Sequence, residues 1–190
     1  MPANSVKELL DYARANPGKL HLAHAGIGSS QHMVSSQLQT QAGIDIVQVP
    51  YKGGGPATID VVAGHSQMAI FKVVQVSGHI RSGKLRALAV GSLQRHPSLP
   101  HLPTIAESGL PGYEADNWWG MVGPAGIPKP VIDKLATEIA AIQDAEEFKQ
   151  TLAKEGADPT KRGPEEFGRF LAREMDKWSK VVKDGNIKLD

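Results

Sequence analysis

Apolar positions in the N-terminal half of the chain switch repeatedly between helical spacing and short near-continuous runs, the rhythm of helices alternating with strands. Val6, Leu9, Leu10 and Ala13 form the first helical stripe, behind a Ser5–Glu8 pair at capping-box spacing. Asn16, Pro17 and Gly18 end that helix. Residues 19–25 (KLHLAHA) then alternate as a strand, 26–30 (GIGSS) make a turn, and a second helix is expected over 31–41. The β-branched run 44–49 predicts another strand, closed by a glycine- and proline-rich loop. A helix follows over 57–63, with Pro56 in its first turn. Residues 67–71 predict a short strand, 77–82 a helix ended by Gly83, and 85–90 (LRALAV) a further buried strand. Four such alternations before residue 91 imply an α/β fold with a mostly parallel sheet covered on both faces.

The pattern changes after residue 93. Residues 94–113 carry four prolines and two glycines and read as a long surface connection with a helical turn near Ile105. A strand is expected over 117–122 and a loop over 124–130. Ile132, Leu135, Ile139 and Ile142 then recur at helical spacing, and a long helix opens at Pro164 with the stripe Phe167, Phe170, Leu171, Trp178, Val181 and Val182. No internal repeat interrupts this order.

Composition narrows the classes of function. The 190 residues carry 21 basic and 20 acidic side chains for a formal charge of +1, far from the concentrated positive charge of a nucleic-acid binder. Cysteine is absent, which removes disulfides, thiolate metal sites and a cysteine nucleophile. No export signal is expected from the residues at the start of the sequence, and no apolar run approaches the roughly 20 residues of a membrane span.

Ligands of open parallel sheets bind in the loops beyond the carboxyl ends of the strands. Two such loops stand out. In the first, Gly28, Ser29, Ser30 and His32 lie at a helix start, where unpaired N–H groups and the helix dipole suit an anion. Equally, Ser29 or Ser30 simply caps the helix. In the second, Tyr51, Lys52 and Gly53 open a triple-glycine loop that lacks both the phosphate-loop order and a dinucleotide fingerprint. There the alternative is a glycine turn without a ligand. His21, His24 and His32 lack a converging acidic partner, so no metal site is assigned. A Ser30–His32 hydrolase pair lacks a third group and a nucleophile elbow. Of the neighbours Trp118 and Trp119, one is expected in the core and the other at a rim.

The segments GIGSSQHM, VPYKGGGPA, GHIRSGKLRALAV and LPTIAESGLPGYE, followed by PEEF and KWSKVVK, together resemble the solute-binding proteins of tripartite tricarboxylate transporters, the Bug family. The resemblance runs along nearly the whole chain. It implies a periplasmic-binding-protein-like, flytrap architecture of type II. Residues 3–113 would be a second-lobe α/β domain carrying the ligand loops, and 114–190 a crossing strand and C-terminal helices that complete the first lobe. The implied function is binding of a small organic carboxylate (a dicarboxylate, tricarboxylate, amino acid or aromatic acid) for delivery to membrane transporter subunits in the periplasm. No catalysis, cofactor, metal or nucleic acid is expected in that function. Gly28, Ser29, Ser30 and His32 would hold a carboxylate, with Tyr51, Lys52 and Gly53 bordering the same cleft. Two departures stand out. The chain opens where the second lobe of the family begins, so it is expected to be truncated and to bind weakly alone. Lys72 occupies a position where the family often carries Asp, within an altered segment over 72–78. The competing readings are a small α/β hydrolase using Ser30 and His32, and a truncated, non-functional gene product. The stripes of the C-terminal helices are expected to be left partly uncovered.

Overall fold

The computed structural model describes residues 3–97 and 99–188. Met1 and Pro2, part of the stretch read for an export signal, lie outside the described residues, as do residues 98, 189 and 190 of the two expected segments. The chain divides into two compact units, one formed by residues up to Asn117 together with those from Trp178 on, the other by Trp118–Lys177.

The first unit opens with α1 (Val6–Ala15), whose stripe Val6, Leu9, Leu10 and Ala13 is buried. The Ser5 hydroxyl accepts from the Glu8 N–H at 3.2 Å, and the Glu8 carboxylate accepts from the Asn4 N–H at 2.7 Å, so the cap is reciprocal but reaches back one residue further than the usual box. Next come β1 (His21–His24), α2 (Ser30–Ala42), β2 (Val47–Pro50), α3 (Gly54–Ala63), β3 (Met68–Ala69) and α4 (Val73–Arg81). The three strands form one parallel sheet in the order β2-β1-β3, with His21 opposite Val47 and Leu22 opposite Met68. Leu22 and Ala23 of the central strand are fully buried, and Val34 and Leu38 of α2 join α1 and β1 in one apolar core. Tyr113 is also fully buried in this core, its hydroxyl donating to the Val34 carbonyl at 3.2 Å. Burial pushes that phenol's pKa far up, so it stays a neutral donor.

Four expectations need correction. The run 85–90 is not a fourth strand. Only Val90 forms a parallel bridge, to Thr104, with the Val90 N–H on the Pro103 carbonyl and the Ile105 N–H on the Val90 carbonyl. Pro103 has no N–H to extend a ladder, which confines the pairing to one bridge. The stretch 94–113 is not purely a surface connection, because Leu102, Thr104, Ile105, Leu110 and Tyr113 are buried. The run 117–122 forms no strand, and Met121 and Val122 are exposed. Helices α3 and α4 begin three and four residues earlier than expected, so Gly54 and Gly55 lie inside a helical first turn and not in a free loop.

In the second unit, α5 (Lys129–Asp144) carries the expected stripe, and α6 (Glu146–Lys154) adds a helix the periodicity did not indicate. Neither buries a residue. The helix α7 (Pro164–Asp184) starts in this unit and contributes its residues from Trp178 on to the other. Trp118 packs edge-on against Phe167 and Phe170 at 5.8 and 5.2 Å, its indole N–H donates to Glu174 at 3.0 Å, and Arg162 lies 4.1 Å from the Phe170 ring centre. Trp119 is 71% exposed.

Candidate functional site

Each strand of the sheet feeds a helix, so the starts of α2, α3 and α4 gather at the carboxyl edge. There Ser29 adopts extended φ/ψ as the N-cap of α2, and its hydroxyl accepts from the His32 N–H at 3.2 Å. The Ser29 N–H donates to the Gly26 carbonyl at 3.1 Å, and the Gly28 N–H donates to His32 Nδ1 at 3.1 Å. Three amides of the serine loop are therefore taken by the loop itself, and the capping alternative holds for Ser29. The Ser30 and Gln31 N–H groups find no protein acceptor among the described residues, and Ser30 is exposed.

His32 does more than line the loop. Its ring stacks on that of His24 with centres 4.5 Å apart and planes 16° off parallel. His24 Nδ1 lies 3.0 Å from the Gly26 carbonyl. Desolvation lowers the pKa of both imidazoles, and for His24 the neighbouring His32 lowers it further while the Gly26 contact opposes. A neutral His32 whose Nδ1 accepts from Gly28 carries its proton on Nε2 and presents a donor there. It then has no free acceptor with which to take a proton from Ser30, which weighs against the hydrolase pair. His21 points elsewhere, with Nδ1 3.2 Å from the Gln67 side-chain oxygen.

The second loop sits against the first. The Tyr51 N–H donates to the His24 carbonyl at 2.9 Å and the Gly53 N–H to the Ala25 carbonyl at 3.2 Å. A Cβ on Gly26 would stand 3.2 Å from the Tyr51 carbonyl, and Gly26 has φ +118°, so glycine suits this position twice over. The Tyr51 hydroxyl bonds the Asp60 carboxylate, which raises the phenol's pKa, and so it turns toward α3. Gly53 caps α3 at φ +107°, a conformation side chains resist. The Gly54 and Gly55 N–H groups find no protein acceptor among the described residues. Lys52 is exposed beside them, and Lys72 is the N-cap of α4. The loops 25–29, 51–53 and 70–72 contain no acidic residue.

The residues singled out by sequence thus lie together, but their roles divide. Gly28, Ser29, Tyr51 and Gly53 build and join the two loops, while Ser30 and Lys52 remain on the exposed edge. The sequence reading missed Gln31, Thr58 and Gln75, which tie the three helix starts together. The Gln75 side-chain nitrogen donates to the Gly54 carbonyl at 2.8 Å and to the Thr58 hydroxyl at 2.6 Å, and Gln31 donates to the Gln75 oxygen at 3.4 Å. An open groove of about 550 Å³ also runs from His24 and His32 along another flank of α2, past Ser36, Gln39 and Gln48.

Residues 1–187 match the family model described as Tripartite tricarboxylate transporter family receptor. A Pseudomonas sp. (strain P51) relative, the UPF0065 protein in the tcbD-tcbE intergenic region, is 39% identical over 187 residues, covering 96% of this chain and 56% of its own length. Among solved structures, R. palustris Rpa4515 with adipate superposes at a TM-score of 0.84 with 34% identity, covering 98% of this chain and 62% of that one. The periplasmic binding protein BugD gives a TM-score of 0.77 with 34% identity, covering 99% and 64%. The chain therefore spans little more than half the length of that curated relative. The α/β fold shared with these periplasmic binding proteins extends over nearly the whole of this chain.

Proposed function

We propose that this chain, which belongs to the tripartite tricarboxylate transporter receptor family, binds a small organic carboxylate against the starts of α2 and α3. In this reading it serves as the solute receptor of a tripartite transporter, working in the periplasm and passing its ligand to the membrane subunits without chemistry. The observation that carries the reading is a set of donors without a protein acceptor among the described residues: the Ser30, Gln31, Gly54 and Gly55 N–H groups and the Ser30 hydroxyl, gathered at one edge with Lys52 and no acidic side chain in the loops. Helix starts with unpaired amides favour negative charge, and a carboxylate accepts several such bonds at once. His32 Nε2–H adds a neutral donor nearby.

The adipate in the R. palustris structure belongs to that protein, yet it supplies the natural probe. Because this chain spans 62% of that one, affinity of the isolated chain is expected to be weak, in the millimolar range. Titration of adipate into the ¹⁵N-labelled chain should shift the amide signals of Ser30, Gln31, Gly54 and Gly55 in a saturable manner. Removing the hydroxyl in Ser30→Ala should weaken binding by about 1.5–3 kcal/mol, the worth of a hydrogen bond to a charged group. Adipate shifts no larger than those from sodium chloride at equal ionic strength would overturn the proposal.

A further inference from the structure

The side chain of Gln75 connects the starts of three helices that are far apart in sequence, and its hydrogen bonds can be arranged in only one way. The Gly54 carbonyl can only accept. The Thr58 hydroxyl spends its proton on that same carbonyl at 2.8 Å and so offers Gln75 a lone pair. Gln75 must therefore turn its NH₂ toward α3, at 2.8 Å from the Gly54 oxygen and 2.6 Å from the Thr58 oxygen. Its own oxygen then faces α2, where it accepts from the Gln31 NH₂ at 3.4 Å. Swapping oxygen and nitrogen in either glutamine would set acceptor against acceptor or donor against donor. The same contact explains a glycine. Gly54 does not have a positive φ, but a Cβ there would stand 2.8 Å from the Gln75 nitrogen and 3.1 Å from its oxygen.

We infer that Gln75 is a positioning residue. It holds the first turns of α2, α3 and α4 in one register, so that the Ser30, Gln31, Gly54 and Gly55 amides face a single anion. The inference rests on the carboxylate reading above for what those amides bind. The coupling of the helix starts rests on the geometry alone. Gln75 itself is only half-buried and sits in the first turn of α4, away from the apolar core, so its amide does not serve general packing. An anion gains most from donors that need not be ordered on binding, and this is what one amide shared by three helix starts supplies.

Gln75→Met keeps the length of the side chain and removes every bond it makes. In ¹⁵N relaxation, the order parameters of Ser30, Gln31, Gly54 and Gly55 should fall together, from about 0.85 toward about 0.6, while those of α1 stay unchanged. Adipate binding should weaken about tenfold, with the melting temperature nearly unchanged. A thermodynamic cycle tests the contact separately. Gly54→Ala should lower the melting temperature in the wild-type background and have a much smaller effect in Gln75→Ala, where the added Cβ meets no amide. Order parameters unmoved by Gln75→Met, or equal costs of Gly54→Ala in the two backgrounds, would overturn the coupling. If the wild-type chain ignores adipate while the cycle and the relaxation behave as described, the carboxylate reading falls and the coupling stands. If adipate binds equally well to wild type and Gln75→Met, the positioning role alone is lost.

Discussion

Ser29 and His32 stabilise each other across the first turn of α2, the hydroxyl accepting from the His32 amide and the imidazole accepting from Gly28. Ser29→Ala should cost about 0.5–2 kcal/mol, the range for loss of an N-cap, measurable by urea denaturation. The two stacked imidazoles add a dependence on pH. Burial holds both below the ordinary 6.5 in the folded chain. As pH falls through about 6.5 the unfolded chain takes up protons first, so stability declines until the folded imidazoles protonate as well. The depressed carboxylates Asp11, Asp60, Glu107 and Asp144 act at lower pH, below their ordinary 3.8 to 4.5. The melting temperature should therefore drop between about pH 7.5 and about pH 5.5, and a His24→Asn, His32→Gln double variant should flatten that slope. A wild-type melting temperature that is level or rising on acidification would contradict this. At this scale the serines were legible in sequence, because caps occupy a fixed place relative to a helical stripe. Gln31 and Gln75 were not, because two polar residues 44 positions apart leave no periodic trace until the fold brings them together.

A short turn over 105–109 shows how an element can be fixed by its ends alone. The Thr104 hydroxyl accepts from the Glu107 N–H and the Glu107 carboxylate accepts from the Thr104 N–H, both at 3.0 Å, a reciprocal cap that also holds Arg95. Thr104 is fully buried. Thr104→Val keeps the shape but strands the Glu107 N–H, and it should destabilise by about 1–3 kcal/mol in the same denaturation assay. Helices with a regular apolar stripe were read correctly in type, α1 and α7 above all, because spacing alone defines them. Strands were read less well. The run 85–90 has the composition of a strand, but whether it pairs depends on its neighbour, and that neighbour contains Pro103. The glycines at 53–55 were read as loop because glycine disfavours helices. The close approach of Gln75 leaves Gly54 no room for a Cβ unless that amide moves.

For the molecule as a whole, the two units differ in how firmly they are packed. Leu10 is 2% exposed in the core of the first unit, and Leu10→Ala should cost about 2–5 kcal/mol by chemical denaturation. No residue of α5 or α6 is buried, and Leu135 and Ile142 of the α5 stripe are exposed. Backbone amides of α5 and α6 should exchange with solvent through openings of much lower free energy than those of β1, as hydrogen exchange by mass spectrometry would reveal. Equal protection in both units would show this contrast to be wrong. The α/β class followed from the order of periods along the chain, which is a local property. A division between units such as that at Asn117 and Trp118 leaves little trace in the periods, since a boundary is defined by contacts that are not made. The return of α7 has a consequence for synthesis. Trp178 and Val181 pack in the first unit, so a nascent chain that has emerged only as far as residue 117 still lacks part of its own interior. The interior of that unit is completed on the ribosome only by a stretch made sixty residues later, and during that interval its unfinished apolar surface is open to chaperones.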